Sequence, residues 1–378
     1  MNFQTEIIQQ SNFFKIDKAA SDLTVVVAMS GGVDSSVVAA LMKKQGYKVI
    51  GITLQLFNYL GIEKKLRTCC AGQDIYDAKR VCEKLDIDHY VFNYESKFKN
   101  EVIDTFVESY LKGETPIPCV NCNQTVKFRD LLEASKNLNA DALVTGHYVK
   151  KVIKNGNSMM YRPEDLSRDQ TYFLFSTTQE QLDYIFFPLG DISKEETRSI
   201  ARKLDLIVAD KADSQDICFV PNGNYASVIQ KIRPDASLPG DIKDTDGNIL
   251  GKHDGIINFT VGQRKGIKLN SNEPFYVVKL QPETRTVIVG RKEDLRIKKL
   301  SIKSVNYLSN PSFDFNEEIY SRVRSTGKLL KSKFNPKINE LSLVEPDYGI
   351  SPGQACVFYK PDSIGTRVLG GGWIKATE

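Results

Sequence analysis

No stretch of this 378-residue chain is apolar for long enough to span a bilayer; the longest run, Leu23–Met29, is far too short. The first twenty residues mix Gln, Asn, Lys and Phe without an apolar block. No secretory signal is expected there, and they read as a partly ordered extension. A surplus of one charge is also missing. Lys and Arg number 51 against 47 Asp and Glu, and a net charge of +4 is too small for bulk electrostatics to imply a nucleic-acid partner. Internal repeats and low-complexity segments are absent, which leaves ordinary globular domains, two or three at this length. Seven cysteines without an export signal argue for reduced thiols in the cytosol and against a disulfide framework.

What is present is concentrated first in residues 24–36. Thr24–Met29 is a short apolar run rich in β-branched residues, as expected of a parallel strand buried on both faces. Ser30-Gly31-Gly32 breaks it, and Val33, Val37 and Leu41 then recur at helical spacing. A strand, a glycine turn and a helix start make an anion site, because glycines admit an oxyanion close to the backbone and the helix N-terminus offers N–H donors. No Lys follows the glycines, so this is not the Walker-type loop. It resembles SGGxDS, the pyrophosphate loop of ATP-dependent adenylating enzymes. Ala28, Met29, Ser30, Gly31, Gly32, Val33, Asp34 and Ser35 are therefore expected around ATP, which carries Mg2+, with Asp34 a metal or helix-cap ligand.

Strand and helix signals alternate to about residue 215: strands at 47–56, 89–93 and 142–146, helices at 74–85, 99–111 and 128–138. That rhythm predicts an α/β domain with a doubly wound parallel sheet, binding its ligand beyond the carboxyl ends of the strands. Residues 150–161, centred on Asn155-Gly156, predict a hairpin, and Ser193-Lys-Glu-Glu196 predicts a capping box. After Cys218, glycines and prolines interrupt short strands, and from about Leu295 short alternating runs predict a β-barrel. The expected division is an extension (1–21), a catalytic domain (22–220), a small central domain (221–292) and a C-terminal β-barrel (293–378). Residues 291–303 and 322–333 (Arg322, Arg324, Lys328, Lys331, Lys333) are locally basic, and charge alone fits an RNA contact and a solvated face equally well.

Two cysteine sites stand out. Cys122 follows the proline-rich Thr115-Pro-Ile-Pro-Cys119 and precedes an apolar helix, so it is expected in a loop near a helix N-terminus, with a lowered pKa. Cys218 ends the polar loop Lys211-Ala-Asp-Ser-Gln-Asp-Ile. Cys119 and Cys122 also form a CxxC, open to zinc and redox readings, although no second CxxC or His pair lies at suitable spacing and the adjacent Cys69-Cys70 would chelate awkwardly. Cys82 and Cys356 lie in apolar-periodic segments and are expected in the core.

The loop at 30–35, Cys122-Asn-x-x-Val-Lys-Phe128, Thr145-Gly-His-Tyr148, Arg168-Asp-Gln-x-Tyr-Phe173, Phe187-Pro-Leu-Gly190, Ser214-Gln-Asp-Ile-Cys-Phe219 and Gly262-Gln-Arg264 occur in one order. Together, over residues 22–375, they resemble the bacterial tRNA-uridine 2-sulfurtransferases, pyrophosphatase-loop enzymes with an adenine-nucleotide α-hydrolase-like sheet. The resemblance implies that Cys122 is the nucleophile and Cys218 carries a persulfide, the two closing a disulfide. It implies ATP contacts at Leu54 and Gly146. It implies tRNA contacts at His147, Arg168, Asp169, Gln170, Arg322, Val323 and Gln354. Many members carry Asp where Cys119 stands, so no carboxylate role transfers to that position. The implied partners are a tRNA with a wobble uridine and a sulfur donor such as a cysteine desulfurase or sulfur-relay protein, in the cytoplasm and with no membrane. An amide ligase on the same loop leaves both cysteines without a role, and an idle RNA-binding scaffold leaves the intact loop unexplained.

Overall fold

The computed structural model describes residues 13–57, 72–213, 217–220, 223–269, 273–308, 315 and 317–378. Cys69-Cys70 and Ser214–Asp216 lie outside the described residues. The chain divides into two compact units. One comprises Met1–Lys99, Asn121–Pro221 and Ser363–Arg367, the other Asn100–Val120, Asn222–Asp362 and Val368–Glu378. Residues 100–120 thus interrupt the first unit in sequence but pack with the second. Among the described residues no helix is long and apolar enough to cross a membrane.

The first unit is built on a parallel sheet. Its strands are β1 (Thr24–Ala28), β2 (Lys48–Gln55), β3 (Asp88–Asn93) and β4 (Ala142–Val144); a hairpin, β5 (Lys150–Lys154) and β6 (Asn157–Tyr161), precedes the last strand, β7 (Ile185–Phe186). The sheet order is β3-β2-β1-β4-β7, with Thr24 opposite Lys48 and Val25 opposite Ala142. Val25, Val26 and Val27 are fully buried, which is why β1 reads as a continuous apolar run without alternation. Helix α1 (Val33–Lys44) buries far more than the stripe its periodicity suggests: Val37, Val38 and Ala39 are all inaccessible. It packs with α2 (Gly72–Leu85), through Ala78, Val81 and Cys82, in one core cluster. Phe14, in the stretch read as an extension, is buried in that cluster against Tyr47 and Phe186, with ring centroids at 4.9 and 4.7 Å.

In the second unit α3 (Asp104–Leu111) carries Phe106 and Tyr110 against Tyr225; the helical run expected at 99–111 begins instead at Glu95 and passes through a wide turn at Lys99–Ile103. A four-stranded sheet, order β10-β11-β8-β9, is made by β8 (Gly240–Lys243), β9 (Ile249–His253), β10 (Tyr276–Gln281) and β11 (Thr286–Gly290). Six further strands are β12 (Arg296–Tyr307), β13 (Ile319–Arg322), β14 (Leu330–Asn335), β15 (Glu340–Tyr348), β16 (Ala355–Pro361) and β17 (Thr366–Thr377). They run in the order β12-β15-β14-β13-β16-β17, and β12 pairs with β17 to close the barrel. Closure removes the open edges that a sheet of this size would otherwise expose. Strand β14 shows the period: Leu330, Ser332 and Phe334 point inward while Lys331, Lys333 and Asn335 are exposed.

Phe315, Phe334 and Phe358 meet in the barrel core, with the Phe334 and Phe358 centroids 4.4 Å apart. Phe358→Ala is expected to cost about 3–5 kcal/mol, as deletion of a buried aromatic typically does. The single tryptophan, Trp373 in β17, would report the loss as a lowered urea midpoint of its fluorescence transition.

Candidate active site

The order of strands brings two loops together. β1 and β4 are neighbours at the point where strand order reverses, and their carboxyl ends lead into Ser30-Gly-Gly and Thr145-Gly-His. A cavity of about 310 Å³ opens between these loops, lined by Ala28, Met29, Ser30, Gly32, Val33, Asp34, Ser35, Leu54, Gly146 and His147, among others. Gly31 has φ +72°, and a Cβ there would lie 2.1 Å from the Asp74 carbonyl oxygen. At Gly146 a Cβ would fall 2.9 Å from Asp34 C and Ser35 N, so glycine is what lets the second loop touch the start of α1. Ser30 N–H donates to Ser35 Oγ (3.2 Å) and Ser36 Oγ donates to the Gly32 carbonyl (2.8 Å), tying the turn to the helix.

Asp34 is not the helix cap. Gly32 occupies that position without a side-chain bond, and the Asp34 carboxylate turns to Lys194 Nζ at 2.7 and 2.8 Å. Tyr148 Oη stands 3.0 Å from Asp34 Oδ1 and 2.9 Å from Thr197 Oγ1. Lys194 is the first residue of α4 (Lys194–Lys203), a helix opened by the predicted capping box: Ser193 N–H donates to Glu196 Oε2 (2.7 Å) and Glu196 N–H to Ser193 Oγ (3.2 Å). Lys194 also pairs with Asp213 Oδ1 at 2.9 Å, and Asp213 with Arg168 (2.9 Å) and Arg198 (2.8 Å). Burial alone would raise the Asp213 carboxyl; these cations more than offset it and hold the pKa below its usual range. On the other side Lys211 Nζ donates to the Gly31 carbonyl (2.9 Å), Asp74 Oδ1 (2.6 Å) and Asp77 Oδ2 (2.5 Å). Burial works against the Lys211 charge, but the two carboxylates raise its pKa overall.

Lys194, Lys211, Asp213 and Tyr148 were not singled out by sequence reasoning as site residues. The capping box locates the start of α4, but no local pattern marks its first side chain as a partner of a loop 160 residues upstream. His147 packs edge-on against Phe128 and Phe187, and this burial, with Lys127 adding to it, pushes the imidazole pKa down to about 3. His147 is therefore neutral at physiological pH. Gln170 accepts from Tyr148 N–H (2.8 Å), and the buried Asp169 accepts from Arg162 Nε (2.7 Å) and Thr171 Oγ1 (2.6 Å).

The cysteine expectation requires correction. Cys122 is not in a loop: Pro118–Asn121 is already helical, and Cys122–Asp130 continues as a wide helical turn into the helix Leu131–Asn137. Proline is tolerated in a helix's first turn, where its missing N–H is not needed, so Pro118 starts the helix it was expected to prevent. The Cys122 side chain is 6% exposed, and burial raises its pKa against the opposing charge of Lys127. Cys218 and Cys119 are half-buried, and neither Cys122 nor Cys218 lines the cavity. Cys82 and Cys356 are core residues as expected, their thiols pushed up by burial. In the barrel, Val323 is buried in the core, Arg322 is buried and donates to the Ser325 carbonyl, and Arg324 pairs with Asp347. Gln354 Nε2 donates to the Thr115 carbonyl (2.8 Å), and Thr115 Oγ1 lies 2.7 Å from Ser351 Oγ, so the barrel grips the strand of chain leading to Cys119.

A doubly wound parallel sheet with a glycine loop at its switch point defines an adenine-nucleotide α-hydrolase-like fold. Comparison with known families sharpens this. A model described as tRNA methyl transferase HUP domain matches residues 23–222. Models described as tRNA methyl transferase PRC-barrel domain and aminomethyltransferase beta-barrel domain match residues 226–291 and 297–374. The tRNA-specific 2-thiouridylase MnmA of Paracoccus denitrificans is 51% identical over 369 residues, covering 96% of this chain and 94% of the relative. The protein of that name from Sinorhizobium fredii is 50% identical over 378 residues, covering 97% and 95%. The chain belongs to the tRNA-specific 2-thiouridylase family of sulfurtransferases.

The depressed His147 pKa sets a sign for acid stability. Between about 6.5 and about 3 the unfolded chain binds a proton that folded His147 does not, so stability falls as pH drops through that window. Urea midpoints measured from pH 6.5 to 4 should decline less steeply in His147→Gln than in the unaltered chain.

Proposed function

We propose that the chain catalyses ATP-dependent 2-thiolation of the wobble uridine of tRNA. The observation that carries this reading is the cavity at the switch point of the sheet, where Ser30–Ser35 and Gly146 converge in a chain of this family. The C2 oxygen of uridine is a poor leaving group, and ATP supplies the adenylyl group that lets it depart as AMP. The residues around the cavity fit a nucleotide. Glycine at 31 and 146 removes side-chain bulk, Leu54 gives an apolar wall, and the turn before α1 presents backbone donors and the Ser30 and Ser35 hydroxyls.

Sulfur is carried as a Cys218 persulfide, supplied by a cysteine desulfurase or a sulfur-relay protein in the cytoplasm. Either its terminal sulfur attacks C2 directly or Cys122 first releases it as sulfide. In both routes Cys122 attacks Cys218 Sγ, AMP leaves, and a Cys122–Cys218 disulfide remains for a dithiol to reduce. The buried, high-pKa Cys122 must become exposed and lose its proton for this step, and Lys127 is the cation whose charge already favours that. In this reading residues 22–220 carry catalysis, 221–292 form the centre, and 293–378 hold tRNA. Arg168 and Gln170 at the cavity, with Gln354 in the barrel, are the polar side chains offered to RNA. Asp169 and Val323 contribute through the backbone they hold in place, because their side chains are buried. His147 offers RNA a neutral ring rather than a charge.

Cys122→Ser and Cys218→Ser should each abolish thiolation, scored by mass spectrometry of digested tRNA, while pyrophosphate release persists in both. Turnover without reductant should yield a peptide joining Cys122 to Cys218. An active Cys122→Ser enzyme would remove this cysteine pair from the mechanism.

A further inference from the structure

The pyrophosphate loop has no lysine of its own, yet a triphosphate entering the cavity needs a cation. Four basic side chains, Lys127, Arg168, Lys194 and Lys211, line the cavity, and they are committed to different degrees; Lys127 is the one whose charge acts on Cys122 and His147. Lys211 is engaged by two carboxylates, at 2.6 and 2.5 Å, and by the Gly31 carbonyl; it is a strut that holds the turn in shape. Arg168 is turned to Asp213. Lys194 differs. It is only 7% exposed, it lines the cavity, and its ammonium faces the start of α1, where Asp34 accepts from it with both oxygens.

Neither carboxylate partner is stranded if Lys194 turns away. Asp213 keeps Arg168 at 2.9 Å and Arg198 at 2.8 Å. The Asp34 side chain is 32% accessible, so water can take over the lost bonds, and Tyr148 Oη stays within 3.0 Å. On the Asp34 side of the loop three cations (Lys194, Arg168, Arg198) face two carboxylates (Asp34, Asp213), whereas on the Gly31 side Lys211 alone faces two (Asp74, Asp77), so the positive excess lies on the side of Lys194.

We propose that Lys194 is the phosphate-binding cation of this site, exchanging the Asp34 carboxylate for a phosphate oxygen when the nucleotide binds. It supplies from the first residue of α4 what a Walker-type loop supplies from within itself. No bond is made or broken beyond the ion pair, and an ammonium–carboxylate contact becomes an ammonium–phosphate contact of the same kind. The proposal rests on reading the cavity as the ATP site and adds the residue that reads its phosphates.

Binding to the full-length chain, measured by equilibrium dialysis with ATP plus Mg2+ and separately with adenosine, tests it without recourse to turnover. Lys194→Met should weaken ATP binding roughly 10- to 100-fold, the range of one charged hydrogen bond, and leave adenosine binding unchanged. Lys194→Arg should recover most of the ATP affinity. Lys194→Gln keeps a donor for Asp34 and Asp213, so it must show the same split between ATP and adenosine should the Met variant fail to fold. Equal weakening of ATP and adenosine would make Lys194 a wall support only, and unchanged ATP affinity would overturn the assignment while leaving the ATP reading intact. If the unaltered chain binds neither compound, the nucleotide reading itself falls.

Discussion

The loop at the carboxyl end of β4 lies against the start of α1, and the turn after β1 lies against α2, so closely that neither tolerates a side chain at its tightest point. This approach is the constraint on which the site depends. A Cβ at 146 would sit 2.9 Å from the backbone of Asp34 and Ser35, and one at 31 would overlap the Asp74 carbonyl. The reversal of strand order between β1 and β4 makes the crevice, because right-handed crossovers carry the chain away from adjacent strands on opposite faces. The glycines then decide how narrow it is. The buried valines of β1 and the nearly complete burial of α1 keep the loop's two ends from shifting.

A loop built this way has little chemistry of its own, and the surrounding charges complete it. Lys211 clamps the Gly31 carbonyl, and Lys194 joins Asp34 to Asp213. Partly buried charges are costly unless paired and hydrogen-bonded, and here every cation of the network meets a carboxylate within 3 Å. Both lysines come from the stretch between 194 and 213. The segment from Lys194 to Lys211 therefore supplies contacts to both ends of the glycine turn, at Asp34 and at the Gly31 carbonyl.

Cys122 is held in the opposite way. Its thiol is enclosed and its pKa raised, a state in which it is both a poor nucleophile and poorly oxidised. Residues 100–120, which lead to it, pack with the barrel through Glu114–Lys303 (2.6 Å) and the Thr115 contacts. The basic stretches of the barrel are likewise less available than their charge suggests: Arg324 is turned to Asp347, Lys331 lies 3.5 Å from Glu318, and Lys299 lies 3.5 Å from Glu340.

The sequence by itself determined the elements and the strand, glycine turn and helix at 24–44. A β-branched run, two glycines and a helical repeat are local, and backbone sterics act over a few residues, so the strand, turn and helix at 24–44 could be read directly. The same holds for the Ser193–Glu196 box and the alternation of β14. Cys122 was misread because two prolines pointed to a loop, whereas one proline in a first turn is compatible with a helix and burial overrode any activation of the thiol. Only the tertiary structure decided that Lys194 faces Asp34, that Lys211 faces Gly31, and that Arg322 and Val323 are buried. Those outcomes depend on which surfaces a folded chain brings within 3 Å, and nothing in the spacing of residues 160 apart encodes that distance.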